Sequence, residues 1–163
     1  MGKLCKYDVA GHLFEVILPD GIDAGQYLAA YAPFASERTD APLFTLRVEL
    51  IHDLKATQPG RPKECLNDEA PYFWIFDKDG KFNFGFSYSK SRPDCILIPS
   101  EDFSESVVYI PSSMTERFMD FAISNSMMLL YTFRTSPYET LMVHASVIRH
   151  NEGGYVFLGR SGT

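Results

Sequence analysis

The chain has 163 residues, 45% of them hydrophobic and 22% charged, with a formal net charge of −6 and an isoelectric point near 5.1. That length suits one domain with a single core, and the acidic balance argues against a general surface for nucleic acid or anionic membrane. No apolar run approaches the ~18 residues a membrane-spanning helix needs, and the N-terminus Met1-Gly2-Lys3-Leu4-Cys5-Lys6 has no hydrophobic signal core. Met1-Gly2 opens a myristoylation pattern, but Lys6 stands where that pattern requires Ser or Thr. Cys5, Cys65 and Cys95 are far apart and form no Cys-x-x-Cys pair. An odd, scattered set suits a reducing compartment, so the expected location is cytoplasmic. Thirteen Phe and nine Tyr favour a β-rich core.

Leu4 to Val9 and His12 to Leu18 read as two strands, with Gly11 in the turn between them. Gln26 to Tyr31 predicts a short helix closed by Pro33, because the residue before a proline disfavours helical geometry. A polar connection spans Ser36 to Ala41. Pro42 to Ile51 is a strong strand, its apolar Leu43, Phe44, Leu46, Val48 and Leu50 interleaved with Thr45, Arg47 and Glu49. Period two there implies one buried face and one wet face. Lys55 to Asn67 contains Gln58-Pro59-Gly60-Arg61-Pro62 and predicts an exposed loop.

Tyr72 to Phe76 and Phe82 to Phe86 flank Asp77-Lys78-Asp79-Gly80, an Asp-Gly turn that predicts a hairpin. The same turn fails as a calcium loop, because Gly80 at loop position six would put Ile75 and Phe86 where carboxylates are needed. Phe82, Phe84 and Phe86 read as one face of a packed sheet rather than a platform for stacking a base or sugar. Cys95 to Ile98 and Val107 to Ile110 add two short strands. Asp94, Glu101, Asp102 and Glu105 cluster in sequence, yet they lack a third ligand in motif spacing and read as a solvated face.

The pattern then changes. Ser113-Met114-Thr115-Glu116 has the capping-box form, and Thr115 to Arg134 follows without Pro or Gly. Its apolar stripe is wide, so it predicts one long helix across the sheet, about 30 Å long for twenty residues. Ser136-Pro137 closes it. Leu141 to Thr163 then reads as two apolar strands around a Gly-containing turn, with Tyr155 to Leu158 as a buried strand, running into a small-residue loop at Gly159-Arg160-Ser161-Gly162-Thr163.

A P-loop has the form G-x-x-x-x-G-K-[ST] and must follow a strand. Gly159 to Thr163 supplies the first Gly and four intervening positions. His144-Ala145-Ser146, an intervening strand and turn, and then Gly159-x-Ser161-Gly162 together resemble the entry to the kinase domain of HPr serine kinase/phosphorylase and its bacterial relatives. The resemblance covers ~20 residues and not the part before them.

The resemblance implies that Gly159, Arg160, Ser161, Gly162 and Thr163 are a partial phosphate loop, cut before its Lys and metal-holding hydroxyl. It also implies that His144 lies beside the phosphate site, the competing reading being a hydrogen-bonded structural His at a strand start. ATP and Mg²⁺ would then serve the complete protein, a serine kinase with a protein or peptide phospho-acceptor. This chain alone would hold no cofactor or metal and would carry no activity. The alternative class is a non-catalytic module that binds a protein or peptide by strand addition. A bare strand edge at Tyr155 to Leu158 would also let a second copy pair there, so homodimerisation is an expectation.

The fold expectation is α+β: a mostly antiparallel sheet, one long helix and a C-terminal β-hairpin from an incomplete P-loop kinase core. The β-rich region covers 1–111, and the helix with the start of that core covers 112–163.

Overall fold

The computed structural model describes residues 2–143 and 145–157. Strands β1 (Lys3–Val9) and β2 (His12–Leu18) meet through Ala10 and Gly11, at φ 51° and 84°. Two consecutive positive φ values give the hairpin turn whose twist matches that of paired strands. A short helix α1 (Ala24–Tyr27) and a 3₁₀ turn (Ala29–Phe34) lead through a polar connection to β3 (Thr45–Ile51). Next come a 3₁₀ turn (Leu54–Thr57), β4 (Arg61–Cys65), β5 (Tyr72–Lys78) and β6 (Lys81–Ser87). Strands β7 (Cys95–Pro99) and β8 (Glu105–Pro111) precede the long helix α2 (Glu116–Thr135). A final hairpin, β9 (Ser146–His150) and β10 (Gly153–Phe157), follows.

Eight strands form one sheet in the order β1-β2-β3-β8-β7-β6-β5-β4, while β9 and β10 form a separate two-stranded sheet. Five of the seven pairings in the large sheet are antiparallel; β2–β3 and β3–β8 are parallel. The architecture is α+β, as the sequence predicts.

The core lies between one face of this sheet and α2. From the sheet, Phe14, Val16, Leu46, Val48, Leu97, Val108 and Ile110 point inward, each 2% exposed or less. Ala122, Ile123, Met127 and Leu130 meet them from the helix. These four recur at spacings of one, four and three, which keeps them on one side of a helix. Phe14 stacks on Phe44 with ring centroids 4.9 Å apart. Burying such side chains contributes roughly 1.5–3 kcal/mol each, so α2 and the sheet hold each other in place.

Four local expectations are corrected. The segment 55–67, predicted as a loop, contains the 3₁₀ turn and edge strand β4. Pro62 is tolerated because β4 pairs on one side only, and the register shifts between Pro62 and Glu64. Pro33 lies inside the 3₁₀ turn rather than ending a helix before it. The bonds there, from Tyr31 N–H to Leu28 and from Ala35 N–H to Ala32, do not need its nitrogen. The α2 cap is Thr115 rather than Ser113: its hydroxyl accepts from Phe118 N–H at 3.3 Å. Glu116 therefore sits in the first turn, where the helix dipole favours a carboxylate. Finally, the predicted buried strand is bare, with Tyr155, Val156 and Phe157 54%, 56% and 56% exposed.

Candidate functional site

The predicted site residues His144, Gly159, Arg160, Ser161, Gly162 and Thr163 all lie outside the described residues. What leads to them is described. The β9–β10 hairpin pairs Ile148 with Tyr155 and Ser146 with Phe157, turning through Asn151 at φ 53°. Ile148 is 56% exposed, matching the apolar residues of β10. Alternation puts Tyr155 and Phe157 on one face of β10 and Val156 on the other, so both faces carry bare apolar surface.

The segment between α2 and this hairpin is anchored on the body. Nε2 of His12 lies 2.9 Å from the Thr140 hydroxyl, and the His12 ring packs against Tyr131 and Tyr138. The Tyr131 hydroxyl donates to the Val9 carbonyl at 3.0 Å. Beside this junction lies an apolar cavity of about 260 Å³, lined by Phe14, Met127, Leu141 and Met142 among others. His12, for which the sequence offers no partner, is thus a junction residue. The signal that would have found it, contact with position 140, is not local.

A second cavity was not legible in the sequence at all. The parallel strands β3 and β8 run side by side, and the chain leaves their carboxyl ends at His52 and Ser112. Around those ends lies a cleft of about 440 Å³, a size typical of small-molecule sites. Phe76, Ile96 and Pro111 give it apolar surface, and Pro59 and Pro93 add to it. Two chain segments bring charge: His52-Asp53-Leu54-Lys55 after β3, and Arg92-Pro93-Asp94 before β7. Asp53 accepts from Lys55 N–H at 2.9 Å, which shapes the turn, and Asp94 accepts from Tyr88 N–H at 3.2 Å. The segments are some forty positions apart, and only the sheet brings them together.

No family model, curated protein or solved structure matches this chain.

The acidic residues near the β7–β8 turn are not brought together as one site. Asp94 belongs to the cleft, and Glu101 pairs with Lys81 at 3.4 Å. Asp102 accepts from the hydroxyls of Ser100 and Ser104 and from Ser104 N–H, at 2.8, 2.7 and 3.1 Å. Those donors, the Ser104 hydroxyl foremost, together with the Arg134 charge pull its pKa down to about 2. Its role is to fix the turn, since Arg134 reaches from α2 to the carbonyls of Leu43 and Asp102, both at 2.9 Å. Among the described residues, no three His, Cys, Asp or Glu side chains are grouped to hold a metal, and no helix is long and apolar enough to cross a membrane.

The aromatic ladder divides: Phe84 and Phe86 are buried under α2 and Phe73, whereas Phe82 is 43% exposed beneath the Lys63 ammonium. The first two are core, as their alternation implies. Phe82 lies near the start of β6 and is not part of the core cluster.

Proposed function

We propose that this chain is the N-terminal region of an HPr-kinase-related, ATP-dependent serine kinase and that it is inactive by itself. One observation supports this reading. The β9–β10 hairpin, which runs toward Gly159, carries apolar side chains on both faces and leaves them bare. A two-stranded ribbon is marginal in water. Strands apolar on both sides belong inside a sheet covered on both sides, and the strand feeding a phosphate loop is of that kind.

In this reading Gly159, Arg160, Ser161, Gly162 and Thr163 begin the phosphate cradle and His144 lies near it. The Lys and hydroxyl that hold the terminal phosphate and Mg²⁺ come after them. ATP and Mg²⁺ bind only when those residues are present, and the acceptor is a protein or peptide.

The test is the reading frame beyond Thr163. Gly-Lys followed by Ser or Thr is expected, with Mg²⁺-dependent ATP binding by the extended protein and none by residues 1–163. A frame without Gly-Lys, or an extended protein that does not bind ATP, overturns the reading.

The same two-stranded sheet, whose outer edges pair with no other strand among the described residues, favours a second reading, a non-catalytic module that takes a peptide or a second copy of itself by strand addition. That reading requires 1–163 to capture an extended peptide, or to show a mass that rises with concentration in light scattering. A peptide-indifferent, concentration-independent monomer rules it out.

A further inference from the structure

The cleft at the ends of β3 and β8 holds two acids, a Lys, an Arg and His52 around an apolar interior. Asp53 and Lys55 are on one segment, Arg92 and Asp94 on the other. Among the described residues none of these four charges forms an ion pair. The ion pairs among the described residues are Lys6–Glu15, Arg38–Asp8, Arg38–Asp40, Lys81–Glu101 and Arg134–Asp102. Asp53 and Asp94 each use one carboxylate oxygen on a backbone N–H, which leaves the other oxygen available. The Lys55 ammonium and the Arg92 guanidinium make no hydrogen bond within the described residues. Phe76 and Ile96, 4% and 1% exposed, back the floor from beneath, and Leu54, Pro59, Pro93, Pro111 and Met114 give the cleft its apolar lining.

We infer that this cleft binds a free α-amino acid with an aromatic or branched apolar side chain. A purely anionic ligand would meet Asp53 and Asp94, and a purely cationic one would meet Lys55 and Arg92, so either is repelled by half of the rim. A zwitterion satisfies both halves. Its carboxylate takes charge-assisted hydrogen bonds from Lys55 and Arg92, and its ammonium donates to Asp53 and Asp94. Its side chain displaces water from the apolar lining given by Leu54, Pro59, Pro93, Pro111 and Met114. The inference concerns a site sharing no residue with the phosphate-loop reading and stands without it.

The probe is L-phenylalanine, titrated into the 163-residue chain and followed by backbone amide shifts. Saturable shifts are expected at Asp53 to Lys55, Asp94 and Met114. Two truncated probes give the control: 3-phenylpropionate lacks the ammonium and 2-phenylethylamine lacks the carboxylate. Each is expected to bind at least tenfold more weakly, the factor that losing a charge-assisted bond produces. The double variant Lys55→Gln with Arg92→Gln is expected to lose binding by a similar factor. Both side chains are exposed and form no ion pair among the described residues, so its near-ultraviolet circular dichroism should match the parent.

Three results overturn the inference. One is no saturation by ~10 mM, the weak end of specific small-ligand affinity. Another is equal binding of either truncated probe or by the double variant. The third is shifts confined to Met127 to Met142 or to the β9–β10 hairpin.

Discussion

His12 Nε2 and the Thr140 hydroxyl stand 2.9 Å apart across 128 positions of sequence, fastening the turn of the first hairpin to the segment that leaves α2. The Tyr131 and Tyr138 rings enclose the same imidazole, with centroids 6.0 and 5.6 Å away. This contact sets where the β9–β10 hairpin departs from the body. Thr140→Val keeps the shape and removes the hydroxyl. The expected cost to global stability is small, about 1 kcal/mol or less for one partly exposed hydrogen bond. The local effect is larger: amide exchange at Leu141, Met142 and Val143 should speed up while the β3 and β8 amides are unchanged. Unchanged exchange at 141–143 would show that the aromatic contacts alone hold the segment.

Asp102 makes the β7–β8 turn sensitive to acid. Hydrogen bonds from Ser104 and Ser100 and the charge of Arg134 lower its pKa from 3.8 to about 2. A carboxyl whose folded-state pKa is depressed adds stability above its unfolded value, and that contribution is lost as the pH falls through the folded value. The stabilisation is therefore complete above about pH 4 and disappears toward pH 2. Carboxyl carbon shifts of Asp102 should titrate near the lower value, and Asp102→Asn should flatten the stability profile in that window. An ordinary midpoint near 4 would mean that the serine bonds do not persist in solution.

Cys95 is fully covered, and burial pushes its thiol up from 9.0 to about 12. The thiolate is the reactive form. In native protein at about pH 8, iodoacetamide should therefore modify the half-exposed Cys5 and Cys65 and leave Cys95 intact until the chain unfolds. Peptide mass mapping reads this directly. The raised value also gives a sign for alkaline stability: the contribution is complete below about 9 and is lost as the pH rises toward about 12. Modification of Cys95 as fast as the other two would mean that β6 and β7 open readily.

Gly85 in β6 lies under the cleft. A Cβ there would come within 2.8 Å of Pro93 Cβ, 3.1 Å of the Cys95 carbonyl oxygen and 3.3 Å of the Phe76 ring. Two of those neighbours line the cleft and the third is backbone, so they cannot all yield. Gly85→Ala should destabilise the chain by about 1–3 kcal/mol, the usual cost of overpacking, seen as a lower urea midpoint. A midpoint equal to the parent's would show that the β6–β7 connection shifts freely.

What the sequence by itself determined is local. Gly11 and Asp79-Gly80 mark the two tight hairpins, because positive φ is a property of a few adjacent residues. Alternation marks β3, and an uninterrupted apolar stripe marks α2 to within one residue at each end. These features are enough for an α+β fold, and they require no knowledge of neighbours in space. The edge strand β4 escaped because its side chains are mostly exposed and carry no alternation.

Tertiary structure alone decided that β8 inserts beside β3 in parallel, sixty positions after it. That choice follows from which apolar faces can be covered by α2 at once, a sum over the whole chain. The cleft between Lys55 and Arg92 depends on it, and the meeting of His12 with Thr140 and the exposure of Tyr155 to Phe157 are likewise decided only in the folded chain. Each is a relation between distant segments, and no spacing within either segment records it.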